Sequence, residues 1–198
     1  MADEIGAAKP MPSAEEQLAD SWVDGDRPML TGPVVLVDYD ERWPQLYRRE
    51  AERISGVLGD RMLLVEHVGS TSVPGLPAKP IIDIVLVVAV SADEPAYLPA
   101  LQAAGYRLVI REPDWYQQRV LKGPDTNVNL HVFSAGCAEV ERMLAFRDRL
   151  RAHDGDRDLY LRIKRELATR DWTYIQNYAD AKTDVVTDIL RRAGAGAG

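Results

Sequence analysis

The stretch EHVGSTSVPGLPAKPIIDIVLVV, Glu66 to Val88, decides how this chain folds. Two apolar, β-branched runs, Leu63–Val68 and Ile81–Val88, read as strands, and glycine and proline punctuate the connection between them. Gly69 lets backbone approach a ligand closely. Ser70, Thr71 and Ser72 offer hydroxyls and N–H groups, and Lys79 adds a positive charge. Asp83 stands inside the second run, where a carboxylate is out of place unless something uses it. A hydroxyl-rich turn followed by a strand carboxylate suits a phosphate-plus-cation site. The turn holds phosphate oxygens and the carboxylate holds the divalent cation that neutralises them. No Gly-Lys-Ser/Thr feeds a helix, so this is not a P-loop. The competing reading is a plain turn closed by its own hydroxyls.

Side chains alternate along a strand, so Glu66 and His67 point to opposite faces. His67 shares its parity with Gly69, which opens the turn, and is therefore expected to face the pocket. The alternative is a core histidine bonded to a backbone carbonyl.

Working outward, the 198 residues support one domain with at most a small helical appendage, and 46% hydrophobic residues is ordinary for a globular protein. A formal net charge of -7 argues against a general nucleic-acid binder but leaves room for a local basic pocket. One cysteine, Cys137, excludes an internal disulfide and points to a reducing cytoplasm. No apolar run approaches a membrane span, and the start MADEIGAAKP lacks the basic and apolar regions of a signal peptide.

Residues 1–30 mix Ala, Glu, Asp and Pro without a sustained period and read as a flexible extension, with a short helix possible around Ala14–Trp22. Val34–Val37 reads as a short strand. Trp43, Leu46, Tyr47, Ile54, Val57 and Leu58 then lie on one helical face ended by Gly59. A helix is expected from Glu94 to Ala104, then strands at Tyr106–Ile110, Trp115–Leu121 and Val128–Phe133. Helices are expected at Val140–His153, Asp156–Thr169 and Tyr174–Arg192, and the AGAGAG end, residues 193–198, reads as a disordered tail. The class is α+β: a mixed sheet with a C-terminal helical layer.

Several basic residues sit where they suit an anion. Arg147 and Arg151 are four apart on one helical face, with Asp148 placed to hold Arg151 or Arg111. Tyr160 with Lys164, and Tyr178 with Lys182, repeat a tyrosine–lysine step of four. That step gives either stem packing over a ring or two lysines lining one anionic pocket.

Five blocks in fixed order carry a family resemblance: VDYD with Trp43-Pro44, the EHVGSTSVPGLPAKPIIDI core, LHV (Leu130 to Val132), FRDRLRAH (Phe146 to His153) and YADAK (Tyr178 to Lys182). The chain resembles the GrpB family over roughly residues 33–192. That family's core is similar to a nucleotidyltransferase domain of the polymerase-beta type, and it also occurs fused to dephospho-CoA kinase. The resemblance implies that residues 31–192 form one such domain. It implies phosphate binding by Gly69 and Ser70, with Ser72, Lys79 and Arg147 as further candidates and Lys164 and Lys182 on late helices. Nucleotidyltransferases place two acids one residue apart on the strand after the Gly-Ser turn and a third on a later strand. Here Asp83 fills the first position, Val85 stands at the second and His131 at the third. A set of Asp83, His131 and His67 would hold a divalent metal, Mg²⁺ or Mn²⁺, with the imidazoles shifting preference towards Mn²⁺, Zn²⁺ or Fe.

These observations frame the function. The first reading is a metal-dependent transferase that moves a nucleotidyl group from an NTP to a small-molecule acceptor, or activates an acyl group by adenylation. The second is a non-catalytic nucleotide- or CoA-binding regulatory or chaperone-like module linked to dephospho-CoA kinase, favoured by Val85. A third is a hydrolase with a histidine-rich metal site.

Overall fold

The computed structural model describes residues 21–23 and 33–194. The helix expected around 14–22 and the terminal tail lie outside those residues except for Ser21, Trp22, Ala193 and Gly194. Trp22 makes a β-bridge to Ile110 rather than ending a helix.

Helix α1, Trp43–Leu58, starts with Pro44 in its first turn, where the missing N–H costs nothing, and buries Trp43, Ile54 and Leu58. Strand β1, Leu64–Val68, leads through a single 3-10 turn, Ser70–Ser72, and a proline-rich loop to β2, Ile82–Val88. Helix α2, Glu94–Ala103, is followed by β3, Arg107–Glu112, β4, Gln118–Lys122, and β5, Val128–Ser134. Four helices complete the chain: α3, Ala138–Ala152; α4, Asp154–Ala168; α5, Ile175–Asp180; and α6, Thr183–Arg192. The sheet order is β1-β2-β5-β4-β3, with β2 and β5 parallel and the other neighbours antiparallel. The fold is α+β with a mixed sheet, a strand arrangement consistent with the nucleotidyltransferase-like expectation.

Two expectations need correction. Val34–Val37 is not a strand but a single bridge, in which Val37 and Ala78 exchange backbone hydrogen bonds of 2.9 Å and so clamp the loop that carries Lys79. Residues 174–192 form two helices rather than one. The break at Ala181 and Lys182 still leaves the Lys182 ammonium 4.6 Å from the centre of the Tyr178 ring, and Asp184 in the new first turn suits the positive end of α6.

Each sheet face has its own cover. Ile82, Ile84, Leu86, Val128, Leu130 and Val132 pack under α1 and α2. On the other face Val68, Val85, Val87 and Phe133 pack under Val140, Met143 and Leu144 of α3. Glu50, fully buried on α1, accepts hydrogen bonds from Tyr106 (2.6 Å), Thr126 (2.9 Å) and Arg53 (3.1 Å), tying α1 to the β4–β5 turn. With Arg53 still held by Asp125 at 2.9 and 3.0 Å, Glu50→Ala leaves the Tyr106 hydroxyl without its acceptor. It is expected to cost about 3 kcal/mol, read as a lower urea midpoint at unchanged m-value.

Candidate functional site

Register puts the chemistry together. Asp83 pairs with Val68 across β1–β2 and with Asn129 across β2–β5, while Val85 pairs with His131. Asp83, Asn129 and His131 therefore share the α3-side face of the sheet. Asp83 Oδ1 accepts from Asn129 Nδ2 at 2.8 Å and lies 3.7 Å from His131 Nε2. About a quarter of the Asp83 side chain remains exposed, 28%, at the floor of a cleft. Burial alone would push its carboxyl up, but the interactions with His131, the hydrogen bond from Asn129 and the charge of Lys79 outweigh it and hold the group below its ordinary value.

Gly69 is dictated by this carboxylate. Its φ of +67° and ψ of -173° belong to a region that only glycine adopts freely, and a Cβ built there would sit 2.5 Å from Asp83 Oδ2. The Gly-Ser turn and the strand acid thus meet directly. Of the three hydroxyls, Ser70 stays at the cleft, hydrogen-bonded to the Tyr160 phenol, whose own pKa is pushed up to about 12 by burial.

Four lysines surround this floor. Lys79, Lys122, Lys164 and Lys182 all lie within reach of the Asp83 charge. Lys164 is buried and donates to Pro77 O at 2.8 Å; burial first, then repulsion from Lys182 and Lys79, brings it down to about 7. Lys79 is brought down to about 8 by burial and by Lys182. Burial also lowers Lys182 and Lys122. Lys79 and Lys182 flank the Tyr178 ring, at 5.1 and 4.6 Å from its centroid, and Lys164 sits 5.3 Å from that of Tyr160. The charge of Asp83 acts on all four, and that of Asp180 on Lys182 as well.

Other expected site residues are placed elsewhere. His67 pairs with Ile84 and points to the face opposite Asp83. It stacks on Tyr47 at 4.8 Å and meets Thr71 Oγ1 at 3.1 Å, and burial lowers it to about 4, so it stands as a neutral core histidine on the face away from Asp83 and His131. Ser72 is spent on its own turn, donating to Gly69 O at 2.6 Å. Arg147 is buried and donates to Glu66 (2.7 Å), to His67 O (3.0 Å) and to Asp148 (2.8 Å), so it joins α3 to β1 and offers no free fork to phosphate. Arg151 caps the Ser72 carbonyl at 2.8 Å, and Arg111 is held by Glu94 rather than Asp148. His153 lies between α3 and α4, so the three histidines do not converge and a histidine-rich hydrolase site has no basis.

Asn129 and Gln118 are the cleft residues that sequence reading left unassigned, and Lys122 stood out only as a basic residue on or beside a strand. Parity supplied a signal for Asn129, two residues before His131. Gln118 donates to or accepts from His131 Nδ1 at 2.7 Å, and Glu112 and Glu139, both raised by burial, stand near the same imidazole.

One ion shared by Asp83 Oδ1 and His131 Nε2, which lie 3.7 Å apart, would sit about 2.1 Å from each at an angle of about 120°, wider than the angle of about 90° between neighbouring ligands of octahedral Mg²⁺. Among the described residues no third His, Cys, Asp or Glu joins them. Further coordination must come from water or from a ligand's own oxygens.

Comparison with known proteins agrees with the chain's motif order. The model of one family, described as GrpB protein, matches residues 33–192. The UPF0157 protein BH1888 of Halalkalibacterium halodurans is 56% identical over 184 residues, covering 93% of this chain and 94% of that protein. The crystal structure of conserved protein GrpB from Enterococcus faecalis superposes with a TM-score of 0.70 at 30% identity, over 80% of this chain and 96% of that one. A dephospho-CoA kinase of Mycolicibacterium paratuberculosis is 31% identical over 84% of this chain, which spans about half, 47%, of the kinase.

Proposed function

The chain belongs to the GrpB family, and from that premise we propose that its cleft binds a nucleoside triphosphate with Mg²⁺ or Mn²⁺ and transfers the nucleotidyl group to a small-molecule acceptor. One observation carries this reading: the Asp83 carboxylate, with an imidazole 3.7 Å away, lies among four lysines whose charged forms burial disfavours. Such a floor is electrostatically unfinished. A polyphosphate supplies the missing negative charge, and its oxygens complete the coordination of a cation that has only two protein ligands.

In this reading Asp83 and His131 would hold the cation, which would supply charge neutralisation to the phosphate oxygens. Gly69 N–H and the Ser70 hydroxyl lie beside them for an adjacent phosphate oxygen. Lys79, Lys164 and Lys182 stabilise the charge that develops on pyrophosphate as it leaves, which is catalysis by fixed charge and positioning. Asn129 keeps Asp83 oriented.

Proton linkage gives the test. Lys164 near 7 and Lys79 near 8 are depressed in the free protein, so their protonated forms cost stability. The full cost is present below about pH 7 and fades as pH rises towards the ordinary lysine range. A bound polyphosphate favours the ammonium forms, so binding takes up protons. Affinity for ATP is expected to fall by about tenfold between about pH 7 and pH 9. Calorimetry in buffers of different ionisation enthalpy reads the uptake, and Lys164→Met is expected to remove most of it. Affinity independent of pH, with no proton uptake, counts against the reading.

A second reading has an observation of its own. Val85, where a second acid is expected, is fully buried under α3, which favours a nucleotide- or CoA-binding module without turnover. The dephospho-CoA kinase relative adds a context for it. Release of pyrophosphate by the purified protein with any acceptor decides for the transferase.

A further inference from the structure

The geometry points to Gln118 as the positioning residue that switches His131 between a resting and a cation-holding form by rotating its own side-chain amide. The inference rests on the reading of His131 as a cation ligand. His131 has one ring nitrogen in the cleft: Nε2 lies 3.7 Å from Asp83 Oδ1, whereas Nδ1 is occupied by Gln118 at 2.7 Å. Gln118 is buried, 5% exposed, and lies two residues from Val120, the partner of His131 across β4–β5. Its place is fixed from behind by a hairpin with two successive left-handed residues, Tyr116 and Gln117, both at φ 52°, and by Gln118 N donating to Trp115 O at 3.1 Å.

A primary amide satisfies Nδ1 with either end. In one of the two orientations the amide nitrogen faces Nδ1 across the 2.7 Å contact. The imidazole then accepts there and carries its proton on Nε2, directed at Asp83. At 3.7 Å that proton faces Asp83 Oδ1 without a hydrogen bond to it, and the tautomer cannot ligate. With the amide turned over, its oxygen accepts from Nδ1–H and leaves the Nε2 lone pair beside Asp83 Oδ1. Two electron-rich atoms side by side repel each other unless a cation lies between them. Metal-binding histidines usually donate their second N–H to a carboxylate or carbonyl, which locks the ligating tautomer. Glutamine leaves both tautomers open at equal hydrogen-bond count, so the pair closes on a cation only when one arrives with its phosphate oxygens.

The test reads the tautomer first. Long-range ¹H–¹⁵N correlation on the metal-free, full-length protein at about pH 8, above the ordinary imidazole range, is expected to show His131 protonated on Nε2. Its signals are assigned by their loss in His131→Gln. Mg²⁺ with ATP is expected to move the proton to Nδ1. Gln118→Glu, which can only accept, is expected to show Nδ1–H without metal and to bind Mn²⁺ at least tenfold more tightly; Gln118→Leu is expected to show a mixture. An Nδ1–H tautomer in the metal-free wild type, or a Gln118→Glu spectrum identical to wild type, overturns the inference. The wild-type spectrum decides even if neither variant folds. Failure of ATP to bind wild type while the metal-free spectra behave as expected instead strikes the nucleotide reading alone.

Discussion

Replacing Asp83 by Asn is expected to lower nucleotidyl turnover at least a hundredfold and to erase the effect of Mn²⁺ on nucleotide affinity. The substitution keeps the shape and a hydrogen-bond acceptor for Asn129, which donates to Asp83 at 2.8 Å. It removes the carboxylate proposed to join His131 in holding a cation. The same change has the opposite sign when metal is chelated. Asp83 then only repels a polyanion, so the variant is expected to bind ATP at least as tightly as wild type in EDTA. Stability follows linkage: the Asp83 carboxyl lies below its ordinary value when folded. Its stabilisation is therefore present above the ordinary carboxylate range and lost as pH falls through the lowered value. Asp83→Asn forfeits it at neutral pH, and a thermal melt is expected to show the loss at pH 7 and less of it near pH 3.

Gly69→Ala is expected to be the most damaging single methyl addition in the chain. At φ +67° and ψ -173° an alanine backbone is strained, and its Cβ would stand 2.5 Å from Asp83 Oδ2. The strain alone costs about 1–3 kcal/mol, and the clash displaces either the turn or the carboxylate. Gly75 makes a control within the same loop. It also has a positive φ, +75°, but a Cβ there meets nothing within 4 Å, so Gly75→Ala is expected to cost only about 1–2 kcal/mol. Urea unfolding of the two variants separates backbone strain from contact with Asp83. Equal losses would show that the Gly69 contact is without consequence. Loss of Mn²⁺-dependent ATP binding is expected for Gly69→Ala only.

The local features of this site were legible in the sequence because they are short-range. The strand pair around the Gly-Ser turn, the acid inside β2 and the tyrosine–lysine steps each need only a few consecutive residues. What escaped was set by pairing at a distance. His67 was assigned to the cleft from its parity with Gly69, but Gly69 bends out of the strand at positive φ and breaks that parity. Register across β1–β2 then puts Val68 and Glu66 on the face of Asp83. Arg147 looked available on a helix surface until α3 settled on β1 and gave it Glu66 and the His67 carbonyl. For Ser72 the competing reading, a turn closed by its own hydroxyl, is the one the structure shows, with the hydroxyl donating to Gly69 O. The cluster of four lysines joins a loop, β4, α4 and the α5–α6 turn, segments separated by up to about a hundred residues. Only the two i, i+4 pairs hinted at it.

The account stands most directly on the coupling of cation and nucleotide. With two protein ligands 3.7 Å apart and no third among the described residues, the cleft is expected to hold a cation weakly alone and firmly only with a polyphosphate. Mn²⁺ binding followed by paramagnetic relaxation or calorimetry, with and without a non-hydrolysable ATP analogue, measures this coupling. The account predicts that the analogue tightens Mn²⁺ at least tenfold in wild type and not in Asp83→Asn. Mn²⁺ and nucleotide that bind independently of one another, or no nucleotide binding at all, would contradict it.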